Sequence, residues 1–268
     1  VGLHAQEAKI PHFLFSQSIG ASVNPLGLDA TTRLSYRTPL NTDRKGLLWD
    51  ATFWELGLEN SVTPAYDTVS LFIRWVPIAF FELKAQAGLR YAYDALGFGF
   101  TPLASYDSPF DSETRKDLPR TNGWGSRYQL SPTLQAAFQN FLFATTIHWV
   151  GYDMRPVKED SKDFFYEPNA NLVLKKLDSY WGNDTVLAYQ WENTRLIGGV
   201  LHSILYVPGS GYISERLSLL GNWTKELSSS LDLSLTALVG FYPQDKYLSY
   251  KEGKIYGALQ VRFLWKLP

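Results

Sequence analysis

Arg33 and Arg37, Glu55 and Glu59, and Glu82 and Lys84 stand four or two residues apart. On an extended chain that spacing puts both members of a pair on one face, because successive side chains point to opposite sides. Arg74, Arg90, Arg127, Arg216 and Arg262 occupy the polar positions of similar segments. Side chains of this kind, facing one another, can pair across neighbouring strands. They can also line an aqueous path and select a solute by charge. With Asp29, Glu167, Asp184, Glu192 and Asp232 added, the two signs are about equal. A balanced set reads as a lattice of ion pairs spanning a narrow interior, not as a ring of one sign.

Other chemistry is thinly represented. The four histidines are His4, His12, His148 and His202. His148 is expected on a polar face. His202 precedes Ser203, but neighbours on a strand point opposite ways, so the two do not form a catalytic pair. Acyl hydrolysis needs a nucleophile, a base and an orienting group together, and the sequence offers no such constellation. No cluster has metal-ligand spacing, and no cofactor is expected. Asp107, Asp111, Glu113 and Asp117 lack the regular loop of a dedicated calcium site.

The elements that must position these residues follow from a period of two. In Glu82–Asp94, "ELKAQAGLRYAYD", Glu82, Lys84, Gln86, Gly88 and Arg90 share one parity, and Leu83, Ala85, Ala87, Leu89, Tyr91 and Tyr93 the other. That is a strand with one polar and one apolar face. Similar segments occupy 12–23, 28–38, 47–60, 67–76, 126–139, 141–153, 164–176, 180–192, 195–207, 212–223, 229–242 and 254–265. Alternation is blurred between 163 and 207. Gln139-Asn140 and 224–229 are short connections, whereas 95–125, 154–163 and 243–253 are long and polar. The longest loop, 95–125, carries Phe98, Phe100, Tyr106, Phe110 and Trp124, and a solvated tip does not need so many aromatics. These residues are expected either to constrict a mouth or to meet a partner protein.

Composition narrows the setting. The net charge of -1 gives nucleic acid nothing to bind. There is no Cys, which excludes a disulfide framework and a thiolate metal site. Aromatics make up 15% of the chain, with 9 Trp and 16 Tyr, residues suited to membrane interfaces. Apolar runs such as 76–81 fall far short of the roughly 20 residues a membrane helix needs. Residues 1–10 read as an N-terminal segment, with Ala5 as a candidate signal-peptide cleavage position.

Polar faces this consistent, aromatics at the ends of apolar rows, and short turns alternating with long loops resemble bacterial outer-membrane β-barrels of the porin-like class. The resemblance covers roughly 11–266, within a single barrel domain at 11–268, and is one of pattern. It implies an all-β, antiparallel transmembrane β-barrel with short periplasmic turns and long outer loops. Thirteen segments cannot close with both termini on one side, so one is miscounted; twelve strands are expected, with fourteen as the alternative. The implied function is a narrow channel for small polar solutes in the outer membrane, in contact with its lipid. The alternative is a non-conducting barrel that anchors a protein assembly through its loops, and a lipid hydrolase stands third. A chain ending beyond Trp265 in Lys266-Leu267-Pro268 departs from the aromatic terminus common in such barrels.

Overall fold

A computed structural model describes residues 11–267 except 42, 45, 47, 50, 95–98, 111–113, 158–161, 192–193, 246–250 and 252. Phe98, Glu192, Asp111, Glu113, His4 and the segment 1–10 therefore lie outside the described residues. The strands are β1 (His12–Val23), β2 (Gly27–Pro39), β3 (Phe53–Val62), β4 (Tyr66–Ile78), β5 (Phe81–Ala92), β6 (Pro102–Leu103), β7 (Gly123–Phe138) and β8 (Phe141–Pro156). They continue with β9 (Phe164–Glu167), β10 (Leu172–Lys175), β11 (Leu177–Trp191), β12 (Leu196–Val207), β13 (Tyr212–Ser228), β14 (Leu231–Asp245) and β15 (Ile255–Leu267). A single helical turn, α1 (Thr114–Asp117), precedes β7.

Twelve of these strands form a closed antiparallel barrel in the order β1-β15-β14-β13-β12-β11-β8-β7-β5-β4-β3-β2. Closure runs from Phe13↔Leu267 to Val23↔Gly257, so the first and last strands leave no open edge. The surplus segment was 164–176. Its two four-residue strands, β9 and β10, belong instead to a small sheet with β6, in the order β10-β9-β6.

The faces follow the alternation. On β5, Gln86, Arg90 and Ala92 are buried inside, while Leu89 and Tyr91 are exposed outside. Leu71, Leu187, Leu219 and Val239 are likewise exposed on other strands. In water such a belt would be a large aggregation-prone patch; in a bilayer it is the surface that meets lipid. Each of the twelve strands is laddered to a neighbour on both sides, which is the condition for crossing hydrocarbon. Trp149↔Trp181 and Trp181↔Tyr206 mark one aromatic girdle. Trp54↔Trp75, together with Trp191, Trp223 and Trp265, marks the other, toward the end that carries both termini.

The long connections 93–122, 157–176 and 246–254 all lie at the end opposite the termini. At the terminal end, Gln139-Asn140 is a two-residue turn with Gln139 at φ 52. One connection breaks the alternation of lengths: 40–52 is long yet lies at the terminal end. It folds back on itself and its neighbours through Leu40 N–H to Thr52 O, 2.9 Å, and Ala79 N–H to Leu48 O, 3.0 Å.

The face assignment is testable at adjacent positions on β14. Leu235 pairs with outward Val261, and Thr236 with inward Gln260. Leu235→Arg should cost roughly 2–4 kcal/mol in urea unfolding from bilayers, with Thr236→Arg costing clearly less. Equal losses would contradict the assignment.

Candidate functional site

The interior of β2–β5 holds most of the charged residues singled out from the sequence, joined as one lattice. Glu55 accepts from Arg37 at 2.8 Å, Arg74 at 3.1 Å and the Ser35 hydroxyl at 2.8 Å. Arg74 also donates to Glu82 at 2.8 Å. Glu59 pairs with Arg33, with Lys84 at 3.6 Å, and accepts from Gln86 at 2.8 Å. Register builds this arrangement: Arg33↔Glu59, Arg37↔Glu55, Glu55↔Arg74 and Arg74↔Lys84 are direct cross-strand partners. The ring of Phe72 is the apolar floor beneath it, with Arg33 4.8 Å and Lys84 5.4 Å from its centroid. Gly57 makes room for that ring, since a Cβ there would stand 2.8 Å from Phe72 and 2.5 Å from the Leu34 carbonyl.

The two signs, about equal over the whole set read from the sequence, are unequal within this lattice. Three carboxylates, Glu55, Glu59 and Glu82, face four cations, Arg33, Arg37, Arg74 and Lys84. Arg262 on β15 adds another, close enough to interact with Arg33, Arg74 and Arg37 and with the carboxylate of Glu55. It has no hydrogen-bond or ion-pair partner among the described residues and stays exposed inside the barrel, as does Gln260. Arg127 turns to neutral groups, Gln129 at 2.7 Å and the Tyr152 hydroxyl at 3.3 Å. Arg216 donates to Ser203 at 3.2 Å and lies 4.2 Å from the Tyr256 ring centroid.

Arg90 corrects the reading of an open lumen lining. It is buried under the β6-β9-β10 sheet and pairs at 2.6 Å with Glu167 at the end of β9. Its guanidinium lies 3.9 Å from the centroid of Tyr66 and 5.1 Å from that of Tyr152, and it donates to Thr68 at 3.0 Å. Glu167, fully buried, also accepts the Ala170 N–H at 2.6 Å. Glu167 is therefore a plug residue, not a wall residue.

The plug is a core of its own. Phe100 stacks on Phe165 with centroids 5.2 Å apart, Phe110 meets Tyr166 at 5.5 Å, and Tyr106 meets Phe164 edge-on at 4.8 Å. Leu172 and Leu174 join Phe100 and Phe165 against wall residues Tyr66, Ala92, Tyr152, Tyr180 and Tyr212. The Tyr106 hydroxyl donates to Asp178 on β11 at 2.8 Å, and burial together with this acceptor pushes its pKa up. Of the loop aromatics, Phe100, Tyr106 and Phe110 thus pack in the plug core. Trp124 does not: it lies on β7, paired with outward Tyr91, and is exposed in the girdle.

One constellation was missed in the sequence. His148 shares a 3.0 Å hydrogen bond through Nδ1 with Ser131 and another of 3.0 Å through Nε2 with Asp184. The residues come from β7, β8 and β11, and only the fold brings them together. The group resembles a hydrolytic triad in composition, but its geometry is that of a polar brace. Ser131 is buried and also accepts from Gln129 at 2.8 Å. Acyl transfer needs free N–H donors aimed at the oxyanion. Ser131 sits within a paired ladder, and the next residue, Pro132, has no N–H.

No family model matches the chain, and no curated protein matches it. Among solved structures it is similar to the NanC porin at 8% identity, covering 94% of this chain and 100% of that one, with a TM-score of 0.43. It is also similar to the translocator domain of the autotransporter NalP from Neisseria meningitidis, at 10% identity, covering 97% and 89%, with a TM-score of 0.47. The beta domain of the Bordetella autotransporter BrkA matches at 8% identity, covering 97% and 100%, with a TM-score of 0.48. These are likenesses of overall shape, and the functional reading rests on the chain's own geometry.

Glu167→Gln keeps the shape of the clasp and leaves Arg90 buried without its counter-charge. Breaking a buried pair in this way costs about 3–5 kcal/mol. Limited proteolysis should then cut near 104–110 much faster than in the wild type, with the barrel still migrating as folded on unheated SDS gels. Unchanged protection would show that the apolar contacts alone hold the plug.

Proposed function

We propose that the chain is a bacterial outer-membrane barrel that gives small polar solutes a narrow passage, with a preference for anions. The observation that carries this reading is Arg262 with Gln260. Both point into a closed barrel and remain exposed there, on a wall that the plug core does not reach. Solvent at these side chains, beside a lattice with more cations than carboxylates, is what an anion-favouring path requires. The plug packs on β4, β5, β8, β11 and the β12–β13 end, so it narrows the mouth from one side.

A second reading also has an observation behind it. A loop sheet clasped by a buried ion pair and an apolar core is a rigid outer surface, which suits a non-conducting barrel presenting its loops to a protein partner. Planar-bilayer recordings separate the two. The passage reading expects discrete steps whose reversal potential under a KCl gradient reports anion preference. Arg262→Glu should move that potential toward cations. Deleting 101–119 should raise conductance while leaving the barrel ladders intact. A folded but silent protein, silent also after the deletion, would favour the anchoring barrel.

A further inference from the structure

The interior is divided lengthwise. Opposite the charged lattice, one register row runs through six consecutive strands, from β8 to β15: Leu142↔Ala188, Ala188↔Gly199, Gly199↔Leu220, Leu220↔Leu238 and Leu238↔Ala258. Direct partners share a face, and this row shares its face with Thr236, Gln260 and Arg262, so all of it points inward. The neighbouring row adds Val186 and Leu201, also direct partners. Leu201, Leu220 and Leu238 are only half-buried there. A water-filled path gains nothing from half-wet leucines on three adjacent strands of its wall, β12 to β14, and wetting apolar surface costs roughly 25 cal/mol per Å². Four residues along β14 and β15 separate Leu238 and Ala258 from Ser234 and Arg262, about 13 Å of strand.

We propose that this interior binds an elongated amphiphile with one anionic head. Its apolar body lies on the Leu220–Leu238 band, and its head lies at the unpaired guanidinium of Arg262, beside Arg33 and Arg74. The inference rests on the reading of the interior as solvated and names the class of solute it takes. Charge complementarity sets the direction: the apolar band is neutral, and the free charge at its edge is positive. A fatty-acid-like carboxylate satisfies both, a small anion satisfies only the arginine, and a cationic amphiphile meets repulsion.

Because the chain has no Cys, Thr236→Cys provides a single site for a polarity-sensitive fluorophore inside the barrel. Leu235→Cys places the same probe against lipid and reports partitioning alone. With the barrel in nanodiscs, decanoate should give a saturable change at position 236 that position 235 does not show. Acetate should give none at equal concentration, and decyltrimethylammonium should not compete. Leu238→Ser should weaken the decanoate midpoint at least tenfold. Arg262→Gln, which breaks no hydrogen bond or ion pair among the described residues, should do the same if the head is read there. Like responses at 235 and 236, equal responses to acetate and decanoate, or an unmoved midpoint in Arg262→Gln would each overturn the inference. Conductance on the same preparation keeps the two proposals apart. Conductance without a saturable response leaves the passage and removes the amphiphile. A saturable response without conductance keeps the binding site and removes the passage.

Discussion

Everything in this chain depends on the rule that a backbone inside hydrocarbon must pair all of its N–H and C=O groups. Twelve strands meet that rule only by closing, and β1 does so on β15. Once closed, the period of two has no freedom left. Each strand sends one parity to lipid and the other to the interior, and a one-residue slip would turn the lipid-facing leucines inward and the interior arginines outward. The charged lattice is a consequence. Arg33, Glu59, Arg37, Glu55, Arg74 and Lys84 meet because closure fixes the register between their strands.

The plug obeys a different logic. Its strands do not cross the membrane and are not part of the closed ladder. It is held by side chains: an apolar core, the hydrogen bond from Tyr106 to Asp178 and, among the described residues, one buried ion pair between Arg90 and Glu167. A buried pair of this kind adds little net stability, because desolvation offsets much of the attraction, but losing either partner is expensive. Such a clasp fixes where the plug sits more than how tightly it is held. It also carries the plug's position to the wall strand β5, whose lower residues Glu82 and Lys84 belong to the lattice.

Much of this was legible in the sequence, for physical reasons. Wall strands announce themselves by parity, so the inward set on β2–β5 could be read from "ELKAQAGLRYAYD" and its relatives. The extra segment, 164–176, misled because Phe164–Glu167 and Leu172–Lys175 alternate like wall strands. Their shortness, with Pro168-Asn169-Ala170-Asn171 between them, was the signal that neither could cross a bilayer. Asn171 at φ 55 completes that turn. Contacts between distant residues left no local trace. Glu167 lies 77 residues from Arg90, and Ser131, His148 and Asp184 stand on three strands. Trp124 falls just outside the alternating segment 126–139 and so reads as loop, whereas the strand begins at Gly123 and places it in the girdle. The excess of cations in the lattice was hidden because a sum over the sequence does not distinguish one part of the wall from another: Asp184 and Asp232 enter the sum but pair with His148 and Lys266, away from the lattice.

A loop sheet is seated across part of the mouth on an apolar core, its position set by the buried Arg90–Glu167 pair. Pulsed electron–electron spin resonance between labels at Asn169→Cys, on the plug turn, and Leu26→Cys, on the exposed β1–β2 turn, tests it directly. The account predicts a single narrow distance distribution in the wild-type background that broadens when Glu167→Gln is added. A distribution already broad in the wild-type background, or one that stays narrow without the carboxylate, would contradict it.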